Sequence, residues 1–164
     1  GNLEPRKNID RLLDGYKIYS DQTNRAKSLV LIGGDGWSND SIKKKINDLT
    51  KTGYKIVRPK AYVADDNLPA LYSGAHANIH VAIHEGFGLP PIQAQACGTP
   101  VVASDIPPLK EVLDSNNTIF VDPYNPEEIA KALEEPRSRR LATGSKFTWD
   151  STTLHIMQLI DKIK

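Results

Sequence analysis

The sequence predicts one doubly wound α/β domain, a parallel sheet with helices on both faces. Two observations carry this reading. Short β-branched runs alternate with amphipathic helical patterns along the chain, the order in which a helix-covered parallel sheet is written. The chain has 164 residues, 39% hydrophobic and 25% charged, enough for one well-filled core and an ordinary globular balance. There is no internal repeat and no low-complexity segment, and the alternation is of Rossmann type.

The elements follow in order. Residues 8–20 set Ile9, Leu12, Leu13 and Tyr16 at helical spacing. Leu29-Val30-Leu31-Ile32 reads as a buried strand, stopped by Gly33-Gly34-Asp35-Gly36. Residues 38–51 are helical, with Ile42, Ile46 and Leu49 on one face, and residues 54–57 form a strand. A loop to Ala64 leads into a short helix over 66–74 carrying Leu68 and Leu71. A strand over 77–83 precedes the glycine- and proline-rich turn 85–91 and a helix through Cys97. Strands at 100–103 and 118–121 flank a helical turn or two at 108–113. Asn125-Pro126-Glu127-Glu128 opens a helix with Asn as N-cap, Pro at the first helical position and Glu three residues after the cap. Residues 135–145 are polar and irregular, and a last helix covers about 150–163. The first helix starts almost at once, so the central strand expected to feed it would lie just before Gly1. With no initiating Met, the chain reads as an excised domain.

The formal net charge of +1 argues against nucleic acid or an anionic membrane as a partner of the domain itself. The longest basic run, Lys43-Lys44-Lys45, falls inside a helical pattern and reads as a solvated face. A single cysteine, Cys97, excludes an intrachain disulfide and, beside Ala94, Ala96 and Gly98, reads as a small buried residue. No apolar stretch approaches the roughly 20 residues that span a bilayer.

Ligands of an open α/β sheet bind at the carboxyl ends of its strands, and three loops there suit a phosphorylated one. Residues 1–8 place Arg6 and Lys7 just before a helix N-terminus, where they could neutralise a diphosphate or could simply be solvated. Gly33-Gly34-Asp35-Gly36 lets a backbone approach a ligand, but a dinucleotide fingerprint would need glycine at Asn39. The third loop, Glu85-Gly86-Phe87-Gly88-Leu89-Pro90-Pro91-Ile92-Gln93, ends a strand in a carboxylate, turns on two glycines and starts a helix on two prolines. Its N–H groups suit an anionic or hydroxyl-rich ligand, Glu85 would accept from sugar hydroxyls, and Gln93, two turns on, could reach a ribose. A charged Glu at a buried strand end is costly without a partner. His76, His80 and His84 recur every four residues, but on a strand over 77–83 His80 and His84 share a face with Asn78 and Ala82, a weak pattern for a metal site; His84, just before Glu85, would instead line the pocket.

Residues 85–94, followed by Ala96-Cys97-Gly98-Thr99-Pro100-Val101-Val102-Ala103-Ser104-Asp105, resemble the donor-site signature of glycosyltransferase family 4. The opening Gly-x-Leu-Glu-Pro-Arg-Lys-Asn, residues 66–75, Val121-Asp122-Pro123 and the closing Phe147-Thr148-Trp149-Asp150 fall in that family's order. The resemblance implies the C-terminal half of a GT-B fold: two Rossmann-like domains across a cleft, a nucleotide sugar bound mainly by the C-terminal one, configuration retained, and no metal or other cofactor. It implies that Lys7, with Arg6, meets the donor diphosphate, and that Glu85, the catalytic candidate, holds hydroxyls of the transferred sugar. Gly34, His84, Gly86, Phe87, Gly88 and Leu89 would complete the sugar and phosphate site, and the loop 58–62, ending at Tyr62, would meet the base.

Two departures stand out. Many members carry Arg where this chain has Asn2, and the second glutamate of an E-x7-E pattern is Gln93. The Glu-Pro-Arg-Lys-Asn opening resembles mannosyltransferases of polysaccharide and lipopolysaccharide assembly, which makes GDP-mannose the first donor candidate. A saccharide or lipid-linked acceptor would bind an N-terminal domain outside this chain, in a cytoplasmic enzyme or one peripheral to the inner face of a membrane. Residues 1–164 alone would then transfer no sugar. The competing reading is a degenerate module that binds nucleotide or sugar without turnover, with Gln93 as its supporting feature.

Overall fold

The computed structural model describes residues 1–24 and 27–135, together with Thr153, Leu154, Ile156, Met157, Gln158 and Ile160, which are helical. The irregular stretch expected beyond Glu135 and the run at 147–150 lie outside the described residues. Strands β1 (Leu29–Val30) and β2 (Ile56–Val57) pair in parallel, as do β3 (Asn78–His80), β4 (Val101–Ser104) and β5 (Thr118–Val121) in the order β3-β4-β5. Between them run α1 (Ile9–Thr23), α2 (Asp40–Lys51), α3 (Leu68–Gly74), α4 (Leu89–Ala96), α5 (Pro107–Val112) and α6 (Pro126–Glu134).

Successive β4 residues show why both faces are covered. Val102 joins the larger core with Leu13 and Tyr16 of α1, Ile46 of α2 and Ile129 of α6, whereas Val101 and Ala103 join a smaller core with Ala94 of α4 and Leu109 of α5. All four β4 residues are buried, the pattern of a central parallel strand. Helices α1 and α6 meet where Gly15 has no side chain; a Cβ there would lie 2.7 Å from Ile129 Cγ2. Asn125 caps α6 as its sequence predicts, accepting from the N–H groups of Glu127 and Glu128. Glu128 reaches back instead to the N–H of Asp122, at 2.7 Å.

The missing central strand has a structural answer. The opening segment lies between the two sheets. Leu3 bridges in parallel to Asp35 and donates its N–H to the Gly34 carbonyl at 3.0 Å, while the Arg6 carbonyl accepts from Ile83 N–H at 2.9 Å. The glycines of the 33–36 loop serve this close approach. Gly33 (φ 142°) lies so near the Gly1 carbonyl that no Cβ would fit, and a Cβ on Gly36 would press on Leu3 and Glu4.

Several strands are shorter than expected. The opening segment becomes a 3-10 turn at Pro5–Lys7, so it offers Val81–Ile83 isolated hydrogen bonds rather than a ladder, and β3 ends at His80. Glu85 therefore sits in a loop, not at a strand end. Val30 and Val57 face outward and are about half exposed, so the run 29–32 is buried on one face only. Cys97 is half-buried at the end of α4, less enclosed than its small neighbours suggest. Among the described residues, no helix is long and apolar enough to cross a membrane.

Candidate functional site

The site begins at Asn8. It is 3% exposed and sits in the left-handed region at φ 57°, between the 3-10 turn and α1. Its amide donates to the carbonyls of Val81 (2.9 Å) and Pro123 (2.6 Å), tying the opening segment to the ends of β3 and β5. That fixes the direction in which Arg6 and Lys7 leave the turn.

Lys7 Nζ lies 2.5 Å from Glu85 Oε2, with both side chains largely enclosed. His80 Nε2 lies 2.9 Å from the same oxygen. Oε1 meets the Gly86 N–H at 3.3 Å and has Arg6 at 3.9 Å. Arg6 is more exposed and also pairs with Glu4 at 2.8 Å. Burial pushes the Glu85 carboxyl up, but the hydrogen bonds from Lys7 and His80 outweigh it, and the group ends below the usual carboxylate range. Burial pushes the His80 ring down and contact with Glu85 offsets this only in part, so the ring is neutral at neutral pH.

The turn that follows is shaped twice over. Gly88 takes φ 87°, and a Cβ there would lie 2.5 Å from Leu109 Cδ2, so glycine is required by backbone and by space. Gly86 has nothing within 4 Å of its would-be Cβ and no positive φ. No contact inside the described chain calls for glycine there; the room it leaves faces outward, beside Glu85. Phe87 and Leu89 are exposed at 39% and 59%, an arrangement a folded domain does not need for its own core. Among the described residues, the N–H groups of Gly88 and Leu89 at the start of α4 find no partner. The turn and the cations thus frame one face with free donors, two cations and one carboxylate, which can hold an anion beside a hydroxyl-bearing group.

The other expected residues are engaged to different degrees. The Gly34 N–H donates to Asn2 Oδ1 at 3.2 Å and its carbonyl serves Leu3, so both its polar groups are in use. Tyr62 is 84% exposed, with its hydroxyl 3.3 Å from Asp65. His84 is exposed, whereas His80, which shared its helical-looking spacing, is enclosed on β3. Gln93 is in the second turn of α4, and the Tyr72 hydroxyl donates to its Oε1 at 3.5 Å. Arg58 bonds Asp35, which also pairs with Lys43 at 2.6 Å, linking the loop 58–62 to the glycine loop. Sequence reasoning passed over Asn8 and weighed His80 only as a metal ligand. The available signals were a left-handed-tolerant residue directly before an apolar helical pattern, and a polar ring inside a β-branched run.

A family model for glycosyl transferases group 1 matches residues 1–138. This chain belongs to the group 1 glycosyltransferases. Among similar proteins, O-antigen chain mannosyltransferase B of Escherichia coli is 33% identical over 163 residues, spanning 93% of this chain and 42% of that protein. The chain thus spans less than half the length of that relative. Sucrose-phosphate synthase from Thermosynechococcus elongatus superposes with TM-score 0.75 at 26% identity, over 99% of this chain and 44% of that one. The C-terminal domain of a group 1 glycosyl transferase from Francisella tularensis superposes with TM-score 0.70 at 21% identity, over 82% of this chain and 70% of that one. The group 1 domain described here is thus a Rossmann-like half of the GT-B fold.

Proposed function

We propose that this domain binds a nucleoside diphosphate sugar, GDP-mannose in the first instance, for transfer of a hexosyl group with retention of configuration. The acceptor, a saccharide or lipid-linked saccharide of O-antigen-type polysaccharide assembly, is held by a second domain at the cytoplasmic face. The mannosyltransferase relative supports the sugar and the pathway class. The observation that carries the reading is the divided Glu85 carboxylate: Oε2 is held by Lys7 and His80, and Oε1 lies beside the room left by Gly86. Lys7, Arg6 and the N–H groups of Gly88 and Leu89 neutralise the diphosphate, so no metal is needed. Phe87 and His84 border the sugar, Gly34 contributes exposed backbone surface, Gln93 reaches the ribose and Tyr62 the base. The oxygen of Gln93 is turned toward Tyr72, which favours its amide N–H as the ribose contact.

Titration with GDP, UDP and ADP without metal identifies the base. Glu85→Gln then tests the sugar contact. The nucleotide sugar is expected to bind about tenfold more weakly, the loss of one charged hydrogen-bond acceptor. The bare nucleoside diphosphate binds no more weakly than to wild type, because an anion has been removed from beside Lys7 and Arg6. Equal loss for both ligands with a lowered melting temperature would make Glu85 a support of the turn. The Gln93 amide is what a binding-only module would tolerate; turnover by the full-length protein with and without Gln93→Glu separates that reading from an active transferase.

A further inference from the structure

The residue on which the sugar contact depends is itself held by a group outside the glycine turn. We propose that His80 is the positioning residue of the site: it holds the Glu85 carboxylate in its sugar-reading orientation when a diphosphate draws Lys7 away. The inference rests on the reading of Glu85 as the sugar acceptor.

The geometry separates the two partners of Glu85 Oε2 by how firmly each is placed. Lys7 carries its ammonium on a flexible four-carbon stem and can turn its three donors to whatever anion is nearest. A diphosphate bears more charge than one carboxylate and competes directly for it. His80 has no such freedom. It is the last residue of β3, paired with Ala103 of β4, the central strand of its sheet, and its side chain is 9% exposed. An imidazole on a laddered strand stays where the sheet puts it.

The protonation states agree with this role. An ionised carboxylate only accepts, so the 2.9 Å contact requires a proton on His80 Nε2, and a neutral ring supplies one from a single tautomer. A neutral donor fixes Glu85 without cancelling its charge, and Oε1 keeps its full strength toward a hydroxyl. Without His80, a carboxylate released by Lys7 has Arg6, 3.9 Å from Oε1, as its nearest cation, and turning to it would cost both the sugar contact and a phosphate contact.

The test compares atom positions. The side-chain nitrogen of glutamine can occupy the place of Nε2 of histidine, whereas that of asparagine falls near Nδ1 and leucine has none. Wild type, His80→Gln, His80→Asn, His80→Leu and Glu85→Gln are titrated with whichever pair wild type binds, GDP with GDP-mannose first, then UDP with UDP-glucose. The readout is the ratio of the two dissociation constants, with melting temperature recorded alongside. His80→Leu and His80→Asn are expected to lower the sugar preference about tenfold, to near the Glu85→Gln value, while GDP affinity stays within about twofold. His80→Gln recovers most of the preference, and adding His80→Leu to Glu85→Gln costs nothing further. If Glu85→Gln abolishes the preference and His80→Leu and His80→Asn keep it, His80 does not position Glu85, and the reading of Glu85 survives. If Glu85→Gln keeps the preference, that reading falls and takes this inference with it. Parallel loss of both ligands and of melting temperature in every His80 variant, glutamine included, marks a packing residue and overturns the proposal. Should His80→Leu fail to fold, the Gln and Asn variants decide alone.

Discussion

Lys7→Ala is expected to weaken nucleoside diphosphate binding about tenfold or more, since a charge-assisted hydrogen bond contributes roughly 1.5–3 kcal/mol. Lys7 is placed by the 3-10 turn and Asn8, is largely enclosed, and has Glu85 as its hydrogen-bond partner. A diphosphate replacing that partner keeps the ammonium satisfied, and alanine leaves Arg6 and the α4 N–H groups to neutralise the anion. Lys7→Arg should retain much of the affinity, because the charge persists. Calorimetric titration without metal checks this; unchanged affinity in Lys7→Ala, or affinity that depends on Mg²⁺, would move the phosphate site elsewhere. The same variant has a pH signature. Glu85 sits below its ordinary carboxylate range in the folded chain, so it contributes stability that is present above its unfolded pKa and is lost as pH falls through the folded value. Removing Lys7 removes part of what holds that value down. Wild type and variant should therefore differ in melting temperature at neutral pH and converge in acid, where Glu85 is protonated in both.

The larger stability effect belongs to Asn8. Asn8→Ala leaves the Val81 and Pro123 carbonyls without their donor, and puts a Cβ-bearing residue without a compensating hydrogen bond at φ 57°. Unsatisfied buried acceptors cost about 1–3 kcal/mol each and a left-handed non-glycine about 1 kcal/mol, so a loss of about 3–7 kcal/mol is expected. For a chain of this size that lowers the melting temperature by about 10 °C or more. Asn8→Gly isolates the backbone share, recovering about 1 kcal/mol of the loss. Asn8→Asp, which turns an acceptor on two carbonyls, should be at least as damaging as alanine. A thermal melt of Asn8→Ala within a degree of wild type would show that these bonds hold nothing together.

What was readable in the sequence was what local pattern determines. The helical spacing of Leu12, Leu13 and Tyr16, the Asn125 cap and the strand at 118–121 need only neighbours a few residues away, and each stands where its pattern puts it. The Glu85–Gln93 turn was legible as a turn because Gly88 and its prolines permit little else. What stayed hidden depends on residues far apart in the chain. The 33–36 glycines read as room for a ligand, yet Gly33 and Gly36 make room for residues 1–4, a contact no local window contains. The true extent of β3 was hidden for the same reason, since the residues beyond it meet the opening segment through isolated hydrogen bonds. His80 belonged to a spacing that suggested a metal site, and only the β3–β4 register sets it on Glu85.

The placement of the opening segment has a consequence for mechanics. Leu3 and Arg6 are stitches across a seam: one joins the β1 side of the sheet through Gly34, the other the β3 side through Ile83. Arg6 and Lys7 are part of that seam and also the cations of the site. An anion that binds only the folded seam, through Arg6 and Lys7, would raise the work of prying the β1 and β3 sides apart by an amount set by its concentration over its dissociation constant.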